Sequence, residues 1–268
     1  NMPLDTNRIS GLYLNKNEQA NTNQLVILSS SMLSTASSSQ EVTRFIAYDL
    51  TDPSNPIVAW TLDIDGYSIS TRLINDKLLL ITRQYLDLKL LLEPYTSSGA
   101  KEDMLKAIEN IKIDDVLPET RFNKESVNFV EATDCIVPVT SNEQSYFDKG
   151  LTAIFIIPLT NPQATDSICK LESSGALYVS TKAMSMTKND YITDMGEGTL
   201  IHKFALNNSG LAYRASGRIP GTIGWRNNAF RMSEHQDYFR VVTSVSPPYS
   251  ENFGAPIWRP VEQTHHLF

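Results

Sequence analysis

Two kinds of mostly apolar segment alternate along the chain, and turn-forming residues bound both of them. The first kind opens on Asn, Asp or Gly and runs through leucine, aromatic or β-branched residues to a Ser or Thr. Its copies are 23–29, 76–82, 175–181 and 237–243. Short apolar runs between turn signals are typical of buried β-strands, so each copy predicts one strand.

The second kind begins with Thr and runs eight residues to a Leu. After the Leu come a polar turn and a further strand, which together predict a β-hairpin. The copies are 43–50, 152–159 and 199–206, and the strands after the turns are 57–62, 167–171 and 211–218. In two copies the last strand ends at a glycine, Gly66 and Gly221.

One unit is therefore a short strand, a strand ending in Ser or Thr, and a hairpin. Four antiparallel strands in a unit of a few tens of residues are typical of a β-propeller blade. A β-sandwich also has many short strands, but it has no reason to repeat the same strand chemistry in register. We predict an all-β fold in which residues 1–268 form a partial β-propeller domain of about three and a half blades.

A fourth hairpin segment begins at Thr264 and reaches the last residue, Phe268, before its turn. An open set of blades leaves unpaired strand edges. We expect either that the natural protein continues beyond Phe268 or that another chain completes the structure, and we prefer the first.

The repeat is interrupted by an insertion at 86–149. Acidic residues follow the Ser-Ser-Gly at 97–99, and apolar residues then recur at helical spacing up to Ile111. This pattern predicts one amphipathic helix at about 99–112. We interpret it as packing against the propeller, in preference to a lid or a docking element for a partner.

The charge and hydropathy patterns exclude nucleic acid and the membrane interior as partners. The net charge is −7 and the lysines and arginines are scattered, whereas nucleic-acid binding uses a basic stripe. No stretch of 18 or more apolar residues is present, so no membrane insertion is expected. The N-terminus has no signal-peptide pattern, and Asn1 ahead of Met2 favours a start after a removed leader.

No set of catalytic residues is recognisable. Nucleophile-elbow and phosphate-loop motifs are absent from the sequence. A calcium loop starting at Asp63 would need Glu at its twelfth position, which is Ile74. His202 lies within an apolar strand, and the adjacent His265 and His266 point to opposite faces of a strand. We predict no catalytic residue, no cofactor and no metal site.

Several segments resemble a known protein family. They include the Asp-Leu-Thr-Asp-Pro turn at 49–53, Gly66-Tyr67, the Ser-Gly-Arg-Ile-Pro-Gly run at 216–221 and Val116-Leu117-Pro118. With these motifs the chain resembles bacterial and archaeal secreted proteins that carry a β-propeller domain distantly related to WD40 repeats. The resemblance implies an extracytoplasmic protein, secreted, periplasmic or surface-attached, and it supplies no catalytic residues.

Cys135 and Cys169 permit one disulfide. If the protein is exported, the oxidising compartment makes that bond plausible, and two free thiols are the alternative. The loop would span 34 residues, for which chain entropy gives about 3–4 kcal/mol.

The function expected from these observations is binding without catalysis. The chain would be an extracytoplasmic propeller that serves as a protein-binding or ligand-binding module, with a small molecule or glycan as the other class of partner. The alternative is the propeller domain of a secreted hydrolase or glycan-active enzyme, whose site lies at the propeller mouth or outside this chain.

Overall fold

A computed structural model describes residues 8–17, 22–34, 39–85, 105–106, 109–137, 150–192, 196–207, 210–224, 228–236, 238–245 and 264–268. The strands are β1 (Arg8–Asn17), β2 (Thr22–Ser34), β3 (Ser39–Asp49), β4 (Ile57–Asp65), β5 (Tyr67–Ile74), β6 (Lys77–Tyr85), β7 (Thr120–Phe122), β8 (Glu125–Val127), β9 (Cys135–Ile136), β10 (Gly150–Pro158), β11 (Asp166–Lys170), β12 (Leu177–Val179), β13 (Ala183–Ile192), β14 (Gly196–Asn207), β15 (Gly210–Pro220), β16 (Met232–His235), β17 (Tyr238–Val245) and β18 (Thr264–Leu267). Short 3-10 helices are Ile113–Asp115, Ala132–Asp134, Pro162–Ala164 and Asn228–Arg231.

The strands form four sheets in two compact units. In the first unit, sheet one has the order β1-β2-β3-β4-β7-β8 and sheet two has the order β5-β6-β10-β11-β9. In the second unit, sheet three is β12-β13-β14-β15 and sheet four is β16-β17-β18. Three sheets thus contain the predicted set of four antiparallel strands, and the fourth contains three strands. The predicted fold class, an all-β array of propeller blades, is confirmed.

Each unit has its own apolar core. In the first unit, Phe45 from β3 and Phe155 from β10 are fully buried in one cluster that both sheets share. Every residue of β10 before Pro158 is buried, as expected of a strand covered on both faces. In the second unit, Met232 and Val241 pack with Ala176 and Ile223.

The threonine that opens each complete hairpin segment has a repeated structural role. All three threonines are fully buried. Each hydroxyl donates a hydrogen bond to a carbonyl just past the end of the paired strand, which satisfies a polar group that burial would otherwise leave costly. The bonds are Thr43 to Gly66 (2.8 Å), Thr152 to Glu172 (2.7 Å) and Thr199 to Gly221 (2.8 Å).

The predicted strand-ending glycines are required at both positions. Gly66 has φ +97° and Gly221 has φ +79°, which side chains on L-residues rarely allow. A Cβ on Gly66 would lie 2.9 Å from the carbonyl oxygen of Arg83, and one on Gly221 would lie 2.8 Å from that of Ser244. Both glycines therefore permit a tight turn and a close backbone approach to a strand of the following sheet.

Sheet two differs from sheets one and three at the residue opposite its threonine and at the residue whose carbonyl that threonine binds. Strand pairing puts Ile64, Lys170 and Ile219 opposite the equivalent threonines of sheets one, two and three. Lys170 forms an ion pair with Glu172. The Glu172 carbonyl accepts the hydrogen bond of Thr152, as the Gly66 carbonyl accepts that of Thr43. Lys170 is 2% exposed and Glu172 is 5% exposed. A buried ion pair thus replaces an apolar residue and a glycine.

One predicted copy of the first segment was wrong. Residues 175–181 contain β12, the first strand of sheet three, whereas the other copies contain second strands. The true counterpart is β13, which the sequence hides because Ala183-Met184 lacks β-branched residues and no Asn, Asp or Gly precedes it. The Ser180 hydroxyl makes that turn instead, by accepting hydrogen bonds from the amides of residues 182 and 183 (3.3 and 3.1 Å).

The strand predicted from Thr264 is present as β18, which pairs with β17.

The structure describes only part of the helix predicted in the insertion. Residues 105, 106, 109 and 110 are helical, whereas Met104 and Ile108 of its apolar side lie outside the described residues. The full helix therefore stays a prediction. The insertion also supplies β7, β8 and β9, which the sequence pattern did not predict.

Candidate functional site

The most distinctive local structure in the first unit is a segment that we call the strap, Leu117–Ile136. Its β7–β8 hairpin extends sheet one at β4, and its last strand, β9, pairs in parallel with β11 of sheet two. These strands have no detectable pattern in the sequence, because none is longer than three residues. The strap therefore joins the edges of two sheets.

Apolar side chains on the strap face the core. Val130 is 6% exposed and belongs to the core cluster, and Leu117, Phe122 and Phe129 pack against it. The Phe122 ring stacks on Trp60, with ring centroids 6.5 Å apart. The strap thus covers apolar surface along the edges of both sheets, which favours its ordered position.

A buried carboxylate ties the strap to sheet one. Asp65, 5% exposed, lies 3.2 Å from the Arg121 guanidinium and accepts a hydrogen bond from the Glu119 amide (3.2 Å). Burial raises the pKa of Asp65 above its usual range, and the Arg121 charge opposes this rise only in part. Burial alone would lower the pKa of Arg121, but its bonds to Glu119 and Asp65 leave that pKa raised.

The two cysteines tie the strap to sheet two. Cys135 on β9 lies directly opposite Cys169 on β11, with Cα atoms 4.4 Å apart and the sulfur atoms in bonding contact. That Cα separation is within the range of protein disulfides. The redox state of the pair in the protein stays a prediction, which thiol alkylation and mass measurement would test.

A cleft lies between the strap and the turn of the β10–β11 hairpin. Its volume is about 470 Å³, within the range of small-molecule sites. Three carboxylates, two carboxamides and two hydroxyls line it together with two apolar side chains. These residues are Val127, Asn128, Phe129, Glu131, Asp134, Gln163, Thr165, Asp166 and Ser167.

Internal hydrogen bonds hold the cleft walls. The Ser167 hydroxyl on the turn side donates to the carbonyl of Phe129 on the strap (2.5 Å). The Asp134 carboxylate accepts from the Glu131 amide (3.2 Å). Among the described residues, no lysine, arginine or histidine lines the cleft, so the charged groups of that lining are all acceptors. A ligand that brings several hydrogen-bond donors would match this lining.

The family model for the β-propeller domain matches residues 1–266. The chain belongs to the β-propeller domain family. No curated protein matches its sequence. The cleft, the strap and the cysteine pair are therefore features of a propeller domain, and the repeated strands are its blades.

None of the four histidines is among the residues that line the cleft. His202 is 7% exposed, and its Nδ1 is 3.1 Å from the Tyr213 hydroxyl, which is the arrangement of a packed, hydrogen-bonded histidine. His265 Nδ1 lies 2.8 Å from the Ser244 hydroxyl. That hydroxyl also accepts from Arg231 (2.9 Å) and is nearly buried, which favours a packing role over that of a nucleophile.

The described part of the domain has neither a cluster of metal-binding side chains nor a helix that could span a membrane. Within those residues, no group of three or more histidine, cysteine, aspartate or glutamate side chains could hold a metal ion. None of the described helices is long and apolar enough to cross a membrane.

Proposed function

We propose that this propeller domain is a non-enzymatic binding module that acts outside the cytoplasm and holds a donor-rich small ligand in the cleft beside the disulfide. Donor-rich means a sugar with several hydroxyls or a compound with ammonium groups. The observation that carries the proposal is the cleft lining, in which carboxylates and carboxamides surround about 470 Å³ of space.

Two features support the choice of ligand class. Carboxylate oxygens only accept hydrogen bonds when ionised, and Asn128 and Gln163 can accept as well as donate. Val127 and Phe129 also line the cleft, which makes part of its lining apolar. A neutral sugar would use that apolar part and the amides, whereas a polyamine would use the three negative charges.

The location outside the cytoplasm is supported by the cysteine pair. Disulfides persist in oxidising compartments and are rare in the reducing cytoplasm. Alkylation of the protein in freshly lysed source cells, before any oxidation, should modify neither cysteine, because both sulfur atoms are in the disulfide. Two alkylated cysteines in the native protein would contradict this part of the proposal.

Binding can be tested by calorimetry with two probes, cellobiose as the neutral sugar and spermidine as the polyamine. Binding of cellobiose that hardly changes between low and high salt would identify a sugar site. Binding of spermidine that weakens strongly with salt would identify a cation site, because salt screens exposed charges. Failure of both probes at millimolar concentration would contradict the proposal for this ligand class.

Variants locate the binding site. Glu131→Gln should weaken spermidine binding, and Gln163→Ala should weaken cellobiose binding, because both residues line the cleft. Glu125→Gln is the matched control, since Glu125 is an exposed acid on the same strap that does not line the cleft. Turnover of an oligosaccharide by the purified domain, lost in Asp166→Asn, would overturn the non-enzymatic assignment.

A further inference from the structure

The two walls of the cleft come from distant parts of the chain. One wall is the part of the strap from Asn128 to Asp134, and the other is the turn from Gln163 to Ser167. Cys135 directly follows the first wall, and Cys169 lies two residues after the second. The cysteine pair therefore stands where the walls meet.

Apart from the buried Val130 and the hydrogen bond from Ser167 to Phe129, few other contacts among the described residues hold the end of the strap against sheet two. The parallel pairing of β9 with β11 involves two residue pairs, at Cys135 and Ile136. One backbone bond follows, from the Leu171 amide to the Ile136 carbonyl (3.0 Å), and Val137 beyond it is 61% exposed. So short a strand pair gives little stability of its own, whereas the β7–β8 end of the strap is held by a hairpin and by Asp65.

We propose that the Cys135–Cys169 disulfide is a redox latch that keeps the cleft formed, so that reduction releases residues 128–137 and weakens ligand binding. The ligand-binding part rests on the proposed function of the cleft. The release of the strap end does not, because it concerns only the contacts between β9 and β11.

The reductant would be a protein or small-molecule dithiol. Cys169 is fully buried and Cys135 is partly exposed, so a thiolate of the dithiol attacks the Cys135 sulfur. The bond between the two cysteine sulfurs breaks, and Cys169 leaves as a thiolate that takes up a proton. The second thiol of the dithiol then attacks the mixed disulfide and releases Cys135. Two electrons pass to the protein, and the dithiol becomes a cyclic or bridged disulfide.

Hydrogen exchange tests the latch without any ligand. Amides in residues 128–137 should exchange at least tenfold faster after reduction of the wild-type domain with a dithiol, because the disulfide no longer restrains local opening of this segment. The reduced domain should still protect the amides of β2 and β3 far better than those of residues 128–137, which distinguishes local release from general unfolding. The Cys135→Ser, Cys169→Ser double variant should show the fast rates with and without the dithiol. Unchanged exchange at 128–137 in the reduced wild-type domain would overturn the latch.

Binding of the probes then tests the consequence for the cleft. If oxidised wild-type domain binds cellobiose or spermidine, reduction should weaken that binding at least tenfold, and equal affinity in both states would overturn the control of binding. If neither probe binds the oxidised domain, the proposed ligand class fails. The exchange rates at 128–137 still decide whether the disulfide holds the strap, so the two failures can be told apart.

Discussion

The buried ion pair between Lys170 and Glu172 offers a sharp test of how the repeat packs. Both residues lie at the end of the outer hairpin strand of sheet two, where the other two complete sheets have Ile and Gly. The perturbation is a mutant cycle of Lys170→Ile, Glu172→Gly and the double variant. The double variant restores the residues that sheets one and three use at these positions.

The magnitudes follow from burial. Neither residue is more than 5% exposed, so Lys170→Ile leaves a carboxylate in a dry site without its ammonium partner. Breaking such a pair lowers the free energy of unfolding by about 3–5 kcal/mol, and Glu172→Gly should lower it by a similar amount. Replacing both charges by apolar groups is often neutral or stabilising, and the added glycine costs about 0.5–1 kcal/mol in chain entropy. The free energy of unfolding of the double variant should therefore lie within about 1 kcal/mol of the wild-type value.

The assay is urea unfolding of the four proteins, followed by tyrosine and tryptophan fluorescence, with the slope m compared between variants. The sum of the two single effects should exceed the double effect by about 4 kcal/mol or more. Additivity within about 0.5 kcal/mol would refute the reasoning, because it would mean that the two charges do not stabilise one another. A double variant as unstable as either single variant would refute the equivalence between the sheets.

Three further predictions concern stability. The stability of Asp65→Asn relative to the wild type should rise as pH rises above about 3.9, because the folded pKa of Asp65 is raised and ionisation then costs the wild type stability. Gly66→Ala should cost about 1–3 kcal/mol, since φ is +97° and a backbone oxygen lies 2.9 Å from the new Cβ, whereas Gly217→Ala, with open space around it, is the control. Replacing Cys135 and Cys169 by serine should lower the free energy of unfolding by about 3–4 kcal/mol.

Each of these has a contrary outcome. A wild-type advantage over Asp65→Asn that grows with pH would mean that the Arg121 charge outweighs burial at Asp65. Equal stability losses for the alanine variants at positions 66 and 217 would mean that the backbone geometry at Gly66 is not limiting. Thermal or urea unfolding unaffected by reductant in the wild type would show that the cysteine pair is not bonded.

The blade strands could be predicted because each repeat reuses the same chemistry. The Thr that opens each complete hairpin segment recurs because a buried hydroxyl satisfies a buried carbonyl in every complete sheet, as at Thr43 and Thr199. Gly66 and Gly221 recur because a positive φ and a close backbone approach leave little choice of residue. Local constraints of this kind are visible in a single sequence.

The strap and the cleft could not be predicted, because long-range contacts form them and local sequence repeats do not. The strap strands are three residues long or shorter, so they have no periodicity to detect, and their pairing with β4 and β11 is a long-range choice. The same holds for β13, whose Ala and Met residues form a strand because sheet three surrounds them. Propensity is a weak signal where tertiary contacts decide the outcome.

The sequence by itself determined the all-β class, the four-stranded unit of a blade, the strand beginning at Thr264 and the single cysteine pair available for a disulfide. Only the tertiary structure decided that Cys135 lies opposite Cys169, that Lys170 and Glu172 are buried together, and that Glu131 and Gln163 line one cleft. Local repetition encodes backbone conformation residue by residue, because each turn and strand has its own steric and hydrogen-bonding needs. Cleft walls 30 or so residues apart are joined by packing, and packing depends on the whole unit at once.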